Sequence, residues 1–409
     1  MKKINSLVAV IITALFLNQQ VMAQSDNVIQ KDGIKIHVFT SRPVFFEVTS
    51  VLLEGKNEVA LIDAQFSKED AQRVADMIRA TGKELTTIFI SYSDPDFYFG
   101  LDYIAKQFPR AKIYATAQTV YLINATKDEK MAIWSPKLGN NAPEKIIVPN
   151  AINADHFMLE DKRIEIKQIY DDEQHSFLWI PSARVILGGI YLNDAAHLWV
   201  ADSQTKEDRI KWMEGLETME ALRPDYAIPS HFTAGKSNLK GDAPILFTKH
   251  YLSALEKVLD SSINSTEVIQ KMKARYPDLD GVSTLEMTAK VLKGEIPWKT
   301  ASAFPAIGRK AEVNFGGDYI FELNFEDERH MSFVGTTGSL KGSADHVEYT
   351  AIEVAPKVYM VYWSEPVNKS RVVHVEDFGS GTAYTNISAA DGSFINLKGT
   401  IKLLGNPLW

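Results

Sequence analysis

One stretch limits what this chain can fold into more than any other: Phe89-Ile90-Ser91-Tyr92-Ser93-Asp94-Pro95-Asp96-Phe97-Tyr98-Phe99-Gly100. The apolar run Thr87-Ile88-Phe89-Ile90 leads into it and reads as a buried strand. Leu101 to Phe108 leads out of it with helical spacing. A core strand that hands over to a helix through a short polar loop is the repeating unit of α/β folds, and such loops are where those folds place their chemistry. This loop carries two carboxylates, Asp94 and Asp96, on either side of Pro95, whose fixed φ stiffens it.

The flanking sequence repeats the unit. Val44 to Val48, Ser50 to Gly55 and Glu58 to Ala64 read as strands, with Gly55-Lys56-Asn57 as a hairpin turn. Ser67 is a natural N-cap, and Glu69 and Asp70 follow in the first turn, where the helix dipole favours anions. The spacing of Ala71, Val74, Met77 and Ile78 predicts a helix over 68–81, stopped by Gly82. A short strand over 112–115 and a helical pattern from near Gln118 come next. Pro136, Pro143 and Pro149 predict an irregular surface segment over 135–153. Strands return at 164–166, 176–181 and 185–189, a helix covers 207–222, and Tyr226 to His231 reads as a strand ending in a polar loop.

Residues 243–294 read as helices without a fixed repeat period, predicted to pack on the α/β part or to serve a homodimer. From about Pro305 the pattern changes to short strands split by Gly, Asp, Ser and Pro turns, over 319–325, 331–334, 346–354, 358–363, 371–378, 383–387 and 394–404. Such spacing predicts an antiparallel β-barrel or sandwich. A length of 409 residues exceeds one ordinary domain. The division expected is an α/β domain over 24–240, a helical connector over 241–300 and a β-barrel domain over 301–409.

Composition excludes several function classes. The formal net charge is −8 and no long basic run occurs, which argues against nucleic acid as a partner and leaves a small molecule. The chain has no cysteine, so disulfides, thiolate nucleophiles, Cys-ligated zinc and iron–sulfur clusters are ruled out. Residues 1–23 have the pattern of a secretory signal peptide: Lys2 and Lys3, an apolar run from Leu7 to Leu17, and cleavage positions at Val21-Met22-Ala23. The run is too short for a comfortable membrane span. The expectation is a periplasmic or secreted protein that starts at Gln24 and has no membrane span after cleavage.

The loop also resembles the metal-binding loop of the metallo-β-lactamase superfamily, His-x-His-x-Asp-His-x-x-Gly after a β-strand. Aligned on Asp96 and Gly100, the three histidine positions fall on Tyr92, Asp94 and Phe97. The resemblance runs from about Val44 to His231. Ile169 to Pro181 looks like the segment that carries the family's next histidine, near Asp171. Leu187-Gly188-Gly189-Ile190 looks like its Gly-Asp pair, with Gly189 where the metal-bridging aspartate would be. Pro229-Ser230-His231 looks like its Pro-Gly-His ending, with the histidine kept. Asn193 and Ala196 to Asp202 echo a branch with alkylsulfatase- or lactonase-like hydrolases. The resemblance implies a four-layer αββα sandwich with its loops at one edge. Tyr362-Trp363-Ser364-Glu365 and Val372 to Phe378 resemble the calycin-like barrel of molybdenum cofactor biosynthesis F-type proteins, and a barrel of that size either holds one small ligand or is filled by its own side chains, the second being the expectation.

In that family three histidines hold one zinc, an aspartate and two histidines hold a second, and a metal-bound hydroxide attacks a carbonyl or ester. Carried over, the first set becomes Tyr92, Asp94 and Asp171, and the second Asp96, Phe97 and His231. Phe97 ligates nothing, and Tyr92 ligates only when ionised, against an ordinary pKa of about 10. Zinc prefers imidazole and thiolate, whereas carboxylates suit harder ions. A dinuclear zinc site is therefore not expected. Three readings stay open: a relic with solvated carboxylates; one divalent metal ion held by Asp94, Asp96, Asp171 and His231, with Asp96 catalytic; or a metal-free pocket for an organic ligand, lined by Tyr92, His175 and His231, with Phe97 and Gly189 in the same wall. The function that follows is a divergent exported hydrolase-like protein of the small ester, lactone or thioester class, its zinc dependence lost or altered. The alternative is a non-enzymatic periplasmic binder using the old cleft or the barrel. Substituting Tyr92→His, Asp94→His, Phe97→His, Asp171→His and Gly189→Asp together is expected to create stoichiometric zinc binding, read by metal analysis after dialysis.

Overall fold

A computed structural model describes residues 27–169, 172–298, 304–355 and 357–404. The expected signal segment and the expected ligand Asp171 lie outside the described residues.

The first sheet has the order β1 (Asn27–Lys31), β2 (Ile34–Thr40), β3 (Thr49–Glu54), β4 (Glu58–Ile62), β5 (Glu84–Phe89), β6 (Lys112–Ala115) and β7 (Asn150–Ala151). Its first four strands pair antiparallel and its last four parallel. β3 is buried at every position, as a strand covered on both faces must be. The second sheet contains β8 (His156–Leu159), β9 (Lys162–Ile169), β10 (Asp172–Ile180) and β11 (Val185–Leu187), with β13 (Tyr226–Ala227) parallel at its edge. A short parallel pair, β12 (Asn193–Asp194) and β14 (His231–Phe232), stands beside it.

The helices are α1 (Lys68–Ala80), α2 (Pro95–Tyr98), α3 (Leu101–Gln107), α4 (Ala117–Leu138), α5 (Lys206–Ala221), α6 (Ala243–Asp260), α7 (Ser265–Arg275) and α8 (Val282–Leu292). Three cores show the layering. Ile36, Leu53, Ile62 and Phe89 of the first sheet pack face to face with Phe157, Ile164, Leu178 and Leu187 of the second. Val74, Ile78, Leu101 and Ile123 cover the outside of the first sheet. Trp212, Leu216, Leu252, Val268 and Leu285 cover the outside of the second. This is an αββα sandwich, and the helices of the predicted connector complete its outer layer. Among the described residues no helix is long and apolar enough to cross a membrane.

The C-terminal part is a closed antiparallel barrel of eight strands: β15 (Arg309–Asn314), β16 (Ile320–Phe325), β17 (His330–Gly335), β18 (Ala344–Ala355), β19 (Val358–Ser364), β20 (Arg371–Asp377), β21 (Thr382–Ser388) and β22 (Phe394–Leu404). β15 is the strand the sequence pattern missed, and its pairing with β22 closes the ring. Phe304 enters one end, fully buried, with its ring 5.0 Å from Phe325 and 5.2 Å from Tyr359. Helix α4 joins sandwich to barrel: Ala117 and Tyr121 pack into the barrel core, and Asn124 Nδ2 donates to Glu328 Oε1 at 3.1 Å.

Two local expectations are corrected. The strand predicted over 44–48 is a 3₁₀ turn at Pro43–Phe45, followed by Phe46 and Glu47 at φ 67° and 55°. The proline presets helical φ, and two left-handed residues then reverse the chain. The irregular segment predicted from Ser135 begins later, because α4 continues through Pro136 to Leu138 and stops at Gly139. Pro136 removes one intrahelical donor and crowds the carbonyl four residues back, and the helix ends at Leu138, two residues after it.

Gly100 shows why the loop needs its glycine. Its N–H donates to Gln65 O at 2.8 Å, and a Cβ there would lie 1.9 Å from Ala64 O. Gly100→Ala is expected to destabilise the protein by about 3 kcal/mol, the upper part of the overpacking range, read as a fall in the urea midpoint.

Candidate functional site

The loop after β5 is anchored from behind. Asp63, just past β4, accepts Ser91 N at Oδ1 and Ser91 Oγ at Oδ2, both at 2.7 Å. Ser91 Oγ accepts Gly189 N at 2.8 Å, so the end of the second sheet is tied to the same point. Burial first, opposed by the two Ser91 bonds, pushes the Asp63 carboxyl up to about 7.

Asp96 sits in the single turn of α2, 8% exposed, with Oδ2 3.4 Å from His231 Nε2. His231 arrives from the far end of the α/β part. A bridge between Val48 and His231 and the bond from Thr49 N to Ser230 O hold its backbone against the start of β3. Its Nδ1 donates to Phe46 O at 2.9 Å. A neutral ring with its proton on Nδ1 leaves Nε2 as an acceptor facing Asp96. Burial, and then the charge of Asp94, raises Asp96 to about 8, with Lys130 working against the shift. Burial lowers His231, opposed by the Phe46 bond and by Asp94 and Glu47. Near neutral pH the pair is therefore an uncharged carboxyl beside an uncharged imidazole.

The residues around the pair differ from a metal shell. Phe97 is fully buried and packs edge-on against Tyr92 at 5.6 Å and His231 at 5.7 Å. Tyr92 faces His175 at 6.1 Å, His175 stacks on Tyr191 at 4.7 Å, and Tyr191 stacks on Trp212 at 5.0 Å. Asp94 is ion-paired with Lys130 at 3.0 Å, and the same ammonium donates to Ser93 O at 2.8 Å. The Tyr98 hydroxyl is buried and has no hydrogen-bond partner among the described residues; burial and then Asp94 and Asp96 raise its pKa. Asp202 accepts the indole N–H of Trp199 at 2.5 Å and that of Trp298 at 2.7 Å, and burial and then Asp94 raise it. Glu47, also raised by burial, lies within electrostatic reach of His231.

Of the residues singled out from the sequence, Tyr92, Asp96, Phe97 and His231 are brought into one cluster. Asp94 is at its edge, turned to Lys130, and Asp171 lies outside the described residues. Gly189 joins through its backbone alone. A Cβ there would lie 2.2 Å from Ser176 O, and its φ is +76°. The Gly189→Asp part of the restored site is therefore blocked by the backbone itself. His197 belongs elsewhere: it is buried against Tyr251, with Nδ1 2.9 Å from the phenol oxygen, and burial lowers it to about 4. Asp63, Ser91, Lys130 and Asp202 were not read from the sequence as site residues. Asp63 carries one usable signal, a carboxylate directly after an apolar strand.

The donor set does not fit a zinc pair. Phe97 has no lone pair, Asp94 is committed to an ammonium, and no side chain can stand at Gly189. Among the described residues no group of three or more His, Asp or Glu side chains could hold a metal ion.

Residues 307–402 match the MoaF-like family, which covers the closed barrel. Among solved structures, the chain is similar to a beta-lactamase domain protein from Burkholderia ambifaria, at 11% identity over 67% of this chain and 88% of that one, TM-score 0.47. It is also similar to a metallo-beta-lactamase from Pontibacter korlensis, at 13% identity over 56% and 98%, TM-score 0.38. A putative beta-lactamase from Burkholderia vietnamiensis matches at 32% identity over 24% of this chain and 96% of that one, TM-score 0.23. No curated protein matches. The metallo-β-lactamase fold of the N-terminal part rests on the layers and sheet order described above.

The raised carboxyls fix the sign of a pH effect. The cost of burying Asp96 is absent below its unfolded value of 3.8, grows as pH rises, and is complete above about 8. Asp96→Asn removes that cost. The melting temperature of Asp96→Asn relative to native is therefore expected to climb steadily between about pH 4 and pH 8 in parallel thermal scans.

Proposed function

We propose that this is an exported hydrolase-like protein of the small ester, lactone or thioester class, in which the fold's zinc-dependent chemistry has been lost. The observation that carries this reading is Phe97, seated on His231 at a position where the resemblance puts a zinc ligand. Lys130 on Asp94 supports it from the other side. Chemistry without metal is limited to what the Asp96–His231 pair supplies. His231 Nε2 takes a proton from water as the water attacks an acyl carbon, and the Asp96 carboxyl gives one to the departing oxygen or sulfur. Proton transfer of this kind contributes about 10²–10⁴-fold to a rate.

A second reading is a non-enzymatic binder of a small molecule in the same cleft. The ring contacts that join Tyr92, His175 and Tyr191 beside Phe97 and His231 support it, because aromatic side chains commonly line sites for small organic ligands.

The two are separated by protein purified without chelators, assayed for metal and for turnover of ester, lactone and thioester panels. The expected result is far less than one metal per chain, with turnover that resists EDTA and falls about 100-fold or more in His231→Ala and Asp96→Asn. Panel compounds that raise the melting temperature without being turned over would select the binder. One tightly held metal per chain, lost in both variants, would overturn both readings.

A further inference from the structure

A carboxylate held at a partly buried site needs a positive charge beside it, because uncompensated buried charge is costly. Asp94, Asp96 and Asp202 are the acidic groups here, and the charge of Asp94 acts on both of the others. Among the described residues, Lys130 is the lysine or arginine ion-paired with any of them. Its side chain is 19% exposed and points inward from α4. An ammonium has three N–H donors, and two are spent, on Asp94 Oδ1 at 3.0 Å and on Ser93 O at 2.8 Å. The loop that would wrap a metal thus wraps an ammonium, through one of its carboxylates and one of its carbonyls. The charge of Lys130 also acts on Asp96 and Asp202, opposing the rise that burial causes in both.

The lysine is held in place from outside the cleft. Tyr121 and Asn124 fix α4 to the barrel, by packing and by the bond to Glu328. Lys130 follows about two and a half turns after Tyr121 on the same rigid helix. A lysine in a long, mixed-charge helical segment is ordinarily a solvated group, and this one is not.

We propose that Lys130 is the resident cation of the site, supplying through its ammonium the positive charge that a metal ion supplies in zinc-bearing members of the fold. The inference rests on the reading that zinc dependence is lost, and it names what stands in the metal's stead.

The test compares native protein, Lys130→Ala and Lys130→Arg by thermal melting in chelated buffer, then with millimolar Mn²⁺ or n-propylammonium added. Lys130→Ala is expected to melt roughly 5 °C or more below native, while Lys130→Arg stays near it. Either added cation is expected to return at least half of the loss in Lys130→Ala and to leave native and Lys130→Arg unmoved. If Lys130→Ala does not fold, Lys130→Gln keeps the stem without the charge, and its refolding yield should rise with the same additions. A neutral variant that melts like native, or one that neither cation restores, overturns the role of Lys130 alone. Native protein that takes up stoichiometric Mn²⁺ overturns the loss of metal dependence as well, which keeps the two failures apart.

Discussion

The carboxylate of Asp63 is the fastening on which the cleft depends. It accepts both the backbone N–H and the hydroxyl of Ser91, and that hydroxyl accepts the N–H of Gly189. One buried group thereby joins the end of β4, the loop after β5 and the end of the second sheet. The bonds from Ala64 N to Phe97 O and from Gly100 N to Gln65 O continue the seam along the loop. A loop sewn at so many points holds its side chains in one arrangement whatever those side chains are. The frame can therefore outlast a change in the groups it carries, because its bonds are to backbone and to Asp63 and Ser91, not to metal ligands.

This separation of frame from cargo explains what could be read from the sequence. The strand–loop–helix order, the N-cap at Ser67 and the return of His231 next to Asp96 were all legible, since each leaves a local pattern in residue type. The barrel was legible in seven of its strands. β15 was missed because charged Arg309 stands at one of its three buried positions and small Ala311 at another, which leaves Val313 as the one large apolar group of the inward face. Val44 to Val48 was misread because its valines and aromatics have strand composition, while the backbone at Phe46 and Glu47 turns left-handed. Lys130 and Asp202 were invisible for a different reason. Their place at the site comes only from three-dimensional neighbours on α4, on the Trp199 loop and near Trp298; nothing local marks Lys130, and the run that ends at Asp202 carries no sign of that carboxyl's partners.

Ligand chemistry and backbone geometry limit the cleft independently. At Phe97 the side chain lacks a donor, while the position itself still faces His231. At Gly189 the position itself is closed, because Ser176 O occupies the space a side chain would need. The first kind of departure from the metallo-β-lactamase pattern leaves the architecture open to a donor. The second is written into the path of the chain, and Ser91 reinforces it by holding the Gly189 N–H. The uncharged state of Asp96 and His231 follows from the same enclosure, since both are shifted towards neutrality mainly by loss of water.

Helix α4 belongs to two cores at once. Val120 and Ile123 are buried on the sandwich side, whereas Ala117 and Tyr121 face the barrel. Such a shared strut makes the two halves a single unit of inheritance. A substitution that shifts how the barrel seats on Tyr121 is transmitted along a stiff rod to the cleft, and a change in the cleft loads the barrel in return. A change in how either half seats on that helix therefore bears on the packing of the other.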